Sequence, residues 1–507
     1  MADDQSEVIA FLSQGESYGA PALPVERIET HISMVFLAGN RAFKLKRAVR
    51  FSYLDFSSVA LREQFSRREF ELNRRTAPDL YLAVHAITRR ADGSLRFDGD
   101  GPPVDFVLEM QRFPEADVFD RLAAAGRLTP ELMRRLTDVI ADFHAAAEIT
   151  PQFGGSAAIE DIIVGNTANL RASCPPLQSA QVQDLDVASR SSLEYIRGLL
   201  DARQRNGKVR RCHGDLHLRN ICLFQGRPTL FDGIEFSDAM SCIDVLYDLA
   251  FLLMDLANRN LKDLAGVVFN RYLDLTADRD GLPAIPLFMS LRAAVRAHVS
   301  VAAARRNSSA PHSDRAQGYL DEAMELLRPR KTQLIAIGGL SGTGKSTMAQ
   351  TLAPEIAPPP GARIVRTDVL RKRLFGLTPE MKLPPTAYDQ ATNERVYRAM
   401  QDETATALTA GFTVVADAAF LRPDERAHIA DVATRAGVPF TGLWLEAPAE
   451  VLRQRVTARR GDASDADAKV VEQQLTYEIG AIGWDRVDAS RGMPATLAAL
   501  RSYLGGR

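Results

Sequence analysis

The chain has 507 residues, more than one hydrophobic core organises, so roughly two to four domains are expected. Hydrophobic residues make up 46% and charged residues 25%, the mixture of a folded globular protein. A net charge of −2 with interspersed signs argues against the basic face that duplex nucleic acid requires and favours a small or polar partner.

In chain order, residues 28–47 alternate as two strands around Ala38-Gly39-Asn40, a hairpin turn signal. A helical segment is predicted over roughly 57–76, and Val104 to Phe113 reads as a further strand. Helical patterns dominate from Thr129 to about 206 and again from 240 to 305. The predicted architecture is α+β, a small β-rich lobe (about 1–113) followed by a helical lobe (about 114–328). The most apolar run, Ile243 to Leu256, is broken by Asp244, Asp248 and Asp255, and is too short and too charged to span a bilayer. The start, Met-Ala-Asp-Asp-Gln, lacks a signal-peptide layout, so no membrane partner and a cytoplasmic setting are expected. Cys174, Cys212, Cys222 and Cys242 read as reduced thiols. Three of them cluster with His213 and His217, but no C-x-x-C spacing supports zinc.

His213-Gly-Asp-Leu-His-Leu-Arg-Asn220 is the first chemical signature. Its Asp215 and Asn220 repeat the five-residue spacing of the kinase catalytic loop, where the aspartate is base and the asparagine holds Mg²⁺. Asp232 follows the strand Arg227-Pro-Thr-Leu-Phe, where the second metal-binding aspartate of a kinase falls. On these motifs, residues 25 to 305 resemble the aminoglycoside phosphotransferase family, which shares a two-lobed protein-kinase-like fold with choline and fructosamine kinases. Asp244 and Tyr247-Asp-Leu-Ala250 match that family's acidic segment. The resemblance implies ATP and Mg²⁺ as cofactors. It further implies that Arg41-Ala-Phe-Lys44 carries the lysine clasping the α- and β-phosphates, with Lys46 on the same strand face as a competitor. Glu69 would pair with that lysine, Glu71 and Glu63 remaining open, and Glu109-Met110 would be the hinge meeting adenine. Two departures stand out. The small lobe has no G-x-G-x-x-G loop, and Phe231-Asp-Gly-Ile-Glu-Phe236 spaces its acids unusually, so Asp232 takes the metal with Glu235 in reserve.

A polar break, Arg306-Asn-Ser-Ser-Ala-Pro-His-Ser-Asp, precedes a helix over about Arg315 to Leu327 and the linker Arg328-Pro-Arg-Lys-Thr. Residues 1–328 and 329–507 are therefore read as two domains. The second alternates strands (333–337, 363–367, 412–416, 440–445) with helices, which predicts an α/β fold with a parallel sheet.

Gly339-Leu-Ser-Gly-Thr-Gly-Lys-Ser346 after an apolar strand is a P-loop. Gly339, Gly342 and Gly344 let backbone N–H groups turn in around the β-phosphate, Lys345 reaches the β- and γ-oxygens, and Ser346 ligates Mg²⁺. Thr343 and Thr347 complete the nucleotide-binding stretch. Asp368 and Arg371 follow the second strand, where a carboxylate can take a proton from an acceptor hydroxyl and an arginine can hold that acceptor. Asp417 closes a strand as a Walker-B-type carboxylate, and a helix after Pro448 carries Arg453, Arg455, Arg459 and Arg460. Arg455 and Arg459 share one face and suit a lid over the nucleotide.

Gly339–Thr347, Asp368-x-x-Arg371, Val415-x-Asp417 and the arginine helix followed by Asp462-Ala-Ser-Asp-Ala resemble the P-loop small-molecule kinase group. That group includes gluconate kinases, zeta-toxin-type kinases and the kinase half of polynucleotide kinases. The resemblance implies that Asp368 activates the acceptor hydroxyl and Arg371 positions it. The chain thus reads as a tandem ATP-dependent kinase for hydroxyls of small polar molecules. Two other readings stay open: one domain as an ATP-binding regulator of the other, or the second as a 5′-hydroxyl polynucleotide kinase or toxin-like kinase.

Overall fold

The computed structural model describes residues 3–51, 54–307, 311–458, 464–465 and 467–505. By packing, the chain forms two compact units, one of residues up to Ile162 with Arg197–Leu252, the other of Ile163–Ile196 with Leu253–Arg507.

In the first unit a sheet is built from β1 (Val25–Glu29), β2 (Ser33–Ala38), β3 (Arg41–Lys46), β4 (Tyr81–Arg89), β5 (Leu95–Phe97) and β6 (Pro103–Gln111). Its order is β1-β2-β3-β6-β4-β5, and every pairing is antiparallel. Ala38 pairs with Arg41, so Gly39-Asn40 is the two-residue turn that the hairpin signal predicts, with Gly39 at φ 59°. Strands β4 and β5 are absent from the sequence reading. The burial of β4 does not alternate, and its register slips between Tyr81 and Ala83, which erases the period-two signal.

Along β3, Phe43 and Leu45 join a core of Leu12, Phe36, Ile87 and Val107. Lys44 and Lys46 project from the opposite face, where helix α1 (Val59–Asn73) supplies Glu69. Ser58 caps α1 by accepting from the Leu61 N–H at 3.4 Å, just inside the predicted start at 57. Further along, the hairpin β7 (Ile221–Phe224) and β8 (Arg227–Leu230) separates the two catalytic-loop segments.

The second unit contains helix α2 (Lys262–Thr276) and the helices Ile285–Asn307 and Pro311–Leu326. The stretch Arg279–Arg305 is long and apolar enough to cross a membrane, but 61% of its apolar window is buried inside the protein, and Ser290 donates to the Ala323 carbonyl at 2.8 Å. A five-stranded parallel sheet follows in this unit: β9 (Leu334–Gly339), β10 (Arg363–Arg366), β11 (Val414–Asp417), β12 (Phe440–Glu446) and β13 (Asp485–Asp488). Its order is β10-β11-β9-β12-β13. Four of these strands match the predicted ones; β13 is missed because only its Val487 is buried. Helices α3 (Lys345–Leu352), α4 (Thr367–Leu374), α5 (Gln390–Thr409) and α6 (Ala449–Ala458) connect them. Ile335, Ile337, Met348, Leu352, Val415 and Leu443 form the core that brings the strand ends, and the loops on them, together.

Candidate active sites

In the first unit the competition between two lysines resolves into a shared arrangement. Glu69 accepts from Lys44 Nζ and from Lys46 Nζ, each at 2.6 Å, one through each carboxylate oxygen. Lys44 continues to Asp232, while Lys46 continues to Glu235. Burial separates their roles. Lys44 and Asp232 retain 15% and 46% side-chain exposure, whereas Lys46 and Glu235 retain 2% and 7%. The Lys44 pair is thus accessible to a phosphate, and the Lys46 pair is enclosed. Burial raises the Glu235 pKa, with Lys46 opposing. Glu235, held in reserve as a metal ligand by the sequence, is committed to Lys46 instead. Glu63 pairs with Arg67 on the surface and Glu71 is exposed, which leaves Glu69 as the lysine's partner.

The catalytic loop is held by buried polar contacts. Asp248, fully buried, accepts from the backbone N–H groups of His213 (3.0 Å) and Gly214 (2.9 Å), and pairs with His144 at 3.2 Å. His213 Nε2 donates to the Phe231 carbonyl at 2.9 Å, and its Nδ1 accepts from the Asp215 N–H at 3.3 Å. Burial lowers the His213 pKa, consistent with this neutral tautomer. One imidazole therefore fastens the Asp215 segment to the Asp232 segment. Asn73 adds a second tie by accepting from the Gly233 N–H at 2.7 Å. Asn220 donates to the Asp215 carboxylate at 2.8 Å and to its carbonyl at 3.0 Å, so its Oδ1 is the remaining ligand atom. Asp215, Asn220 and Asp232 offer only oxygen ligands, the set that suits Mg²⁺.

The hinge assignment needs correction. Glu109 and Met110 lie inside β6, paired on one side with Phe43 and Ala42 of β3 and on the other with Ala83 and Tyr81 of β4. Flanked by two strands, they cannot present an open backbone edge to adenine. The Glu109 carboxylate is engaged by Arg41 at 3.1 Å and His85 at 2.8 Å, and Met110 is buried in an apolar cluster with Leu80 and Leu108. In the segment that leaves β6, Phe113 meets Phe231, the residue before Asp232, edge-on at 5.2 Å.

The anchor Asp248 lies within the predicted acidic segment, whose sequence carries no sign of this task. His144 gave no signal, because a lone histidine in a helix is usually core. His144, Cys212 and Asp248 could hold a metal by proximity, their ligand atoms lying within 4.8 Å of one another. Yet Asp248 is already bonded to two backbone N–H groups, and burial raises the Cys212 pKa, which keeps the thiol protonated.

In the second unit the P-loop takes the backbone form its glycines predict. Gly339, Gly342 and Gly344 have φ of 134°, 89° and 91°, and a Cβ on Gly342 would lie 2.7 Å from the Leu452 carbonyl of α6. Thr343 Oγ1 donates to the Leu340 carbonyl at 2.8 Å, while Thr347 is exposed on α3. Lys345 donates to the carbonyls of Gly339 (2.8 Å) and Leu340 (3.0 Å). Ser346 accepts from Arg366 at 3.1 Å, and Arg366 pairs with Asp417 at 3.3 Å. Burial raises the Asp417 pKa, while Arg366, Lys345 and a hydrogen bond with Ser346 lower it. The Walker-type carboxylate and the P-loop hydroxyl are thus adjacent, and their oxygens again suit Mg²⁺. Arg366, the basic member of this group, was not singled out by the sequence.

Asp368 opens α4 and Arg371 lies one turn on. Arg371 is buried, donates to the Ala387 carbonyl at 2.8 Å and lies over the Tyr388 ring at 4.9 Å. Burial and the Asp465 and Asp368 carboxylates raise the Tyr388 pKa while Arg371 opposes them. Arg455 donates to the carbonyls of Ala489 (2.8 Å) and Gly342 (3.5 Å), which ties α6 to the P-loop. Arg453 instead pairs with Glu472 and Glu450 in solvent, and Arg459, Arg460 and Asp462 lie outside the described residues.

Two segments of the chain match known protein families. Residues 62–285 match the model of the phosphotransferase enzyme family, and residues 334–478 match an AAA domain. An uncharacterized protein of Mycobacterium tuberculosis (strain ATCC 25618 / H37Rv) is 29% identical over 453 residues, 87% of this chain and 88% of the relative. An uncharacterized protein of Mycobacterium bovis (strain ATCC BAA-935 / AF2122/97) is equally similar, 29% identical over the same shares. Among solved structures, a choline/ethanolamine kinase family protein from Mesorhizobium loti covers 60% of this chain and 88% of its own at 15% identity and TM-score 0.37. A gluconokinase from Sinorhizobium meliloti 1021 covers 36% of this chain and 99% of its own at 20% identity and TM-score 0.25.

Proposed function

Since residues 62–285 form a phosphotransferase-family domain and residues 334–478 a P-loop domain of kinase type, we propose that this ATP-dependent phosphotransferase has two separate active sites. Each would transfer the γ-phosphoryl group of ATP to a hydroxyl of a small polar molecule. The observation that supports the reading is that the candidate groups of each signature fall within one compact unit. One has Lys44, Glu69, Asp215, Asn220 and Asp232; the other has Lys345, Ser346, Asp368, Arg371 and Asp417.

In the first site Asp215 accepts the proton of the acceptor hydroxyl, held in place by Asn220 and His213. Lys44, oriented by Glu69, meets the phosphates. In the second site Asp368 takes the proton, Arg371 holds the acceptor, and Lys345 with the P-loop N–H groups holds the β- and γ-phosphates. Mg²⁺ would be held by Asn220 and Asp232 in one site and by Ser346 and Asp417 in the other, and when bound neutralises charge on the phosphate oxygens. Small acceptors fit the neutral overall charge, and a cytoplasmic setting, where ATP is supplied, fits the chemistry.

The test is ATP turnover with panels of sugars, amino-sugars and nucleosides for wild type, Asp215→Ala and Lys345→Ala. Each variant is expected to lose only the substrates of its own site. Full activity of both variants on every substrate found would refute the two-site reading.

A further inference from the structure

Strand β10 is the edge of the parallel sheet, where backbone groups have no ladder partner on one side. Here a side chain completes them. Asn270 of α2 accepts from the Ile364 N–H at 2.8 Å through Oδ1 and donates to the Ala362 carbonyl at 3.1 Å through Nδ2. The amide thus makes the pair of bonds that a neighbouring strand would make. Arg363, the first residue of β10, donates to Asn270 Oδ1 at 3.1 Å and to Asp274 of the same helix at 2.6 Å. Both Arg363 and Asn270 are at least nine-tenths buried. A buried guanidinium is tolerated only when it is fully paired, so this contact is built rather than incidental. Phe269 of α2 stacks on Phe412 at 5.5 Å beside it.

The same network reaches the catalytic helix. Glu403 of α5 accepts from Arg363 at 3.5 Å and from Arg373 on α4. Strand β10 runs directly into α4, which carries Asp368 and Arg371. Strand β9, which leads into the P-loop, is by contrast separated from β10 by β11, and β10 reaches α3 through Arg366, which donates to Ser346 at 3.1 Å.

We propose that Asn270 and Asp274 are positioning residues for the P-loop site. A helix within the phosphotransferase-family segment fixes the β10–α4 unit, and with it the acceptor-side pair of the second domain. The glycine turn 339–344 follows β9, on the far side of β11, and does not depend on that helix. The catalytic consequence rests on the proposed roles of Asp368 and Arg371; the mechanical part does not.

The test uses the full chain carrying Asp215→Ala, with Asn270→Leu, which keeps the volume and removes both amide bonds, and the milder Asp274→Asn. Hydrogen exchange at residues 363–374 should accelerate about ten-fold, with the glycine turn 339–344 unchanged. Affinity for a fluorescent ATP analogue with Mg²⁺ should stay within about two-fold, while ATP turnover falls about ten-fold. Unchanged exchange at 363–374 would overturn the proposal. Equal acceleration across the whole P-loop domain, with loss of nucleotide binding, would also overturn it, because α2 would then be a general support. Should Asn270→Leu not fold, Asp274→Asn carries the same comparison. A parent chain with no turnover would instead count against the functional reading, and the exchange measurement would still decide the mechanical one.

Discussion

Lys46 and Glu235 form an enclosed ion pair, with side-chain exposures of 2% and 7%, only three residues beyond the accessible Asp232 that Lys44 engages. The arrangement gives one strand two lysines in different settings, one accessible and one enclosed and holding the segment that carries Asp232. Lys46→Met should therefore destabilise the first unit by about 3 kcal/mol, the low end for breaking a buried pair, because Glu235 can take a proton and Glu69 keeps Lys44. Lys44→Met should cost less stability but remove most ATP affinity at that site. Urea unfolding and nucleotide titration of the two variants check the division of labour. Equal effects of both on stability and binding would contradict it.

Acid should loosen the same cluster. Burial opposes ionisation of Glu69, but Lys44 and Lys46 outweigh it and draw the carboxyl to about 2. A carboxyl depressed in the folded state lends stability above its unfolded pKa and loses it as pH falls toward the folded value. Stability should therefore drop between about pH 5 and pH 2. Glu235 is raised by burial, so its contribution is present at low pH and is lost as pH rises through its folded value. Glu69→Gln and Glu235→Gln should shift the slope of stability against pH in opposite senses.

Asp248 is an acceptor for two backbone N–H groups of the catalytic loop. Asp248→Asn would aim an amide NH₂ at one of them and leave buried donors facing each other. A loss of about 3 kcal/mol is expected, with turnover at the first site lowered about 10²-fold by displacement of Asp215. Turnover at the P-loop site serves as the internal control and should not change.

At the P-loop, Gly342 combines a φ of 89° with a would-be Cβ contact of 2.7 Å to the Leu452 carbonyl. Gly342→Ala must distort the loop or push α6 away, so nucleotide affinity at the second site should fall at least about ten-fold. Titration in an Asp232→Ala background isolates that site.

Both catalytic signatures were legible because phosphoryl transfer fixes short spacings, as in Asp215 to Asn220 and Gly339 to Ser346. What was illegible depends on long-range packing. Nothing near Glu109 reveals that β4 will flank its strand, and β4 itself hides because its register slips. Asp248 reads as one acid in an acidic segment until the loop it holds is seen. Asn270 and Asp274 look like ordinary polar positions of a helix, and only the sheet edge against them explains their burial.

The central claim is that two independent phosphoryl-transfer sites operate in one chain. The most direct test follows labelled γ-phosphate from ATP into a metabolite mixture with wild type, Asp215→Asn, Asp368→Asn and the double variant. Each single variant should lose its own products by about 10²–10⁴-fold and keep the other's, and the double variant should lose all. Loss of the same products in both single variants, or no loss in either, would contradict the account.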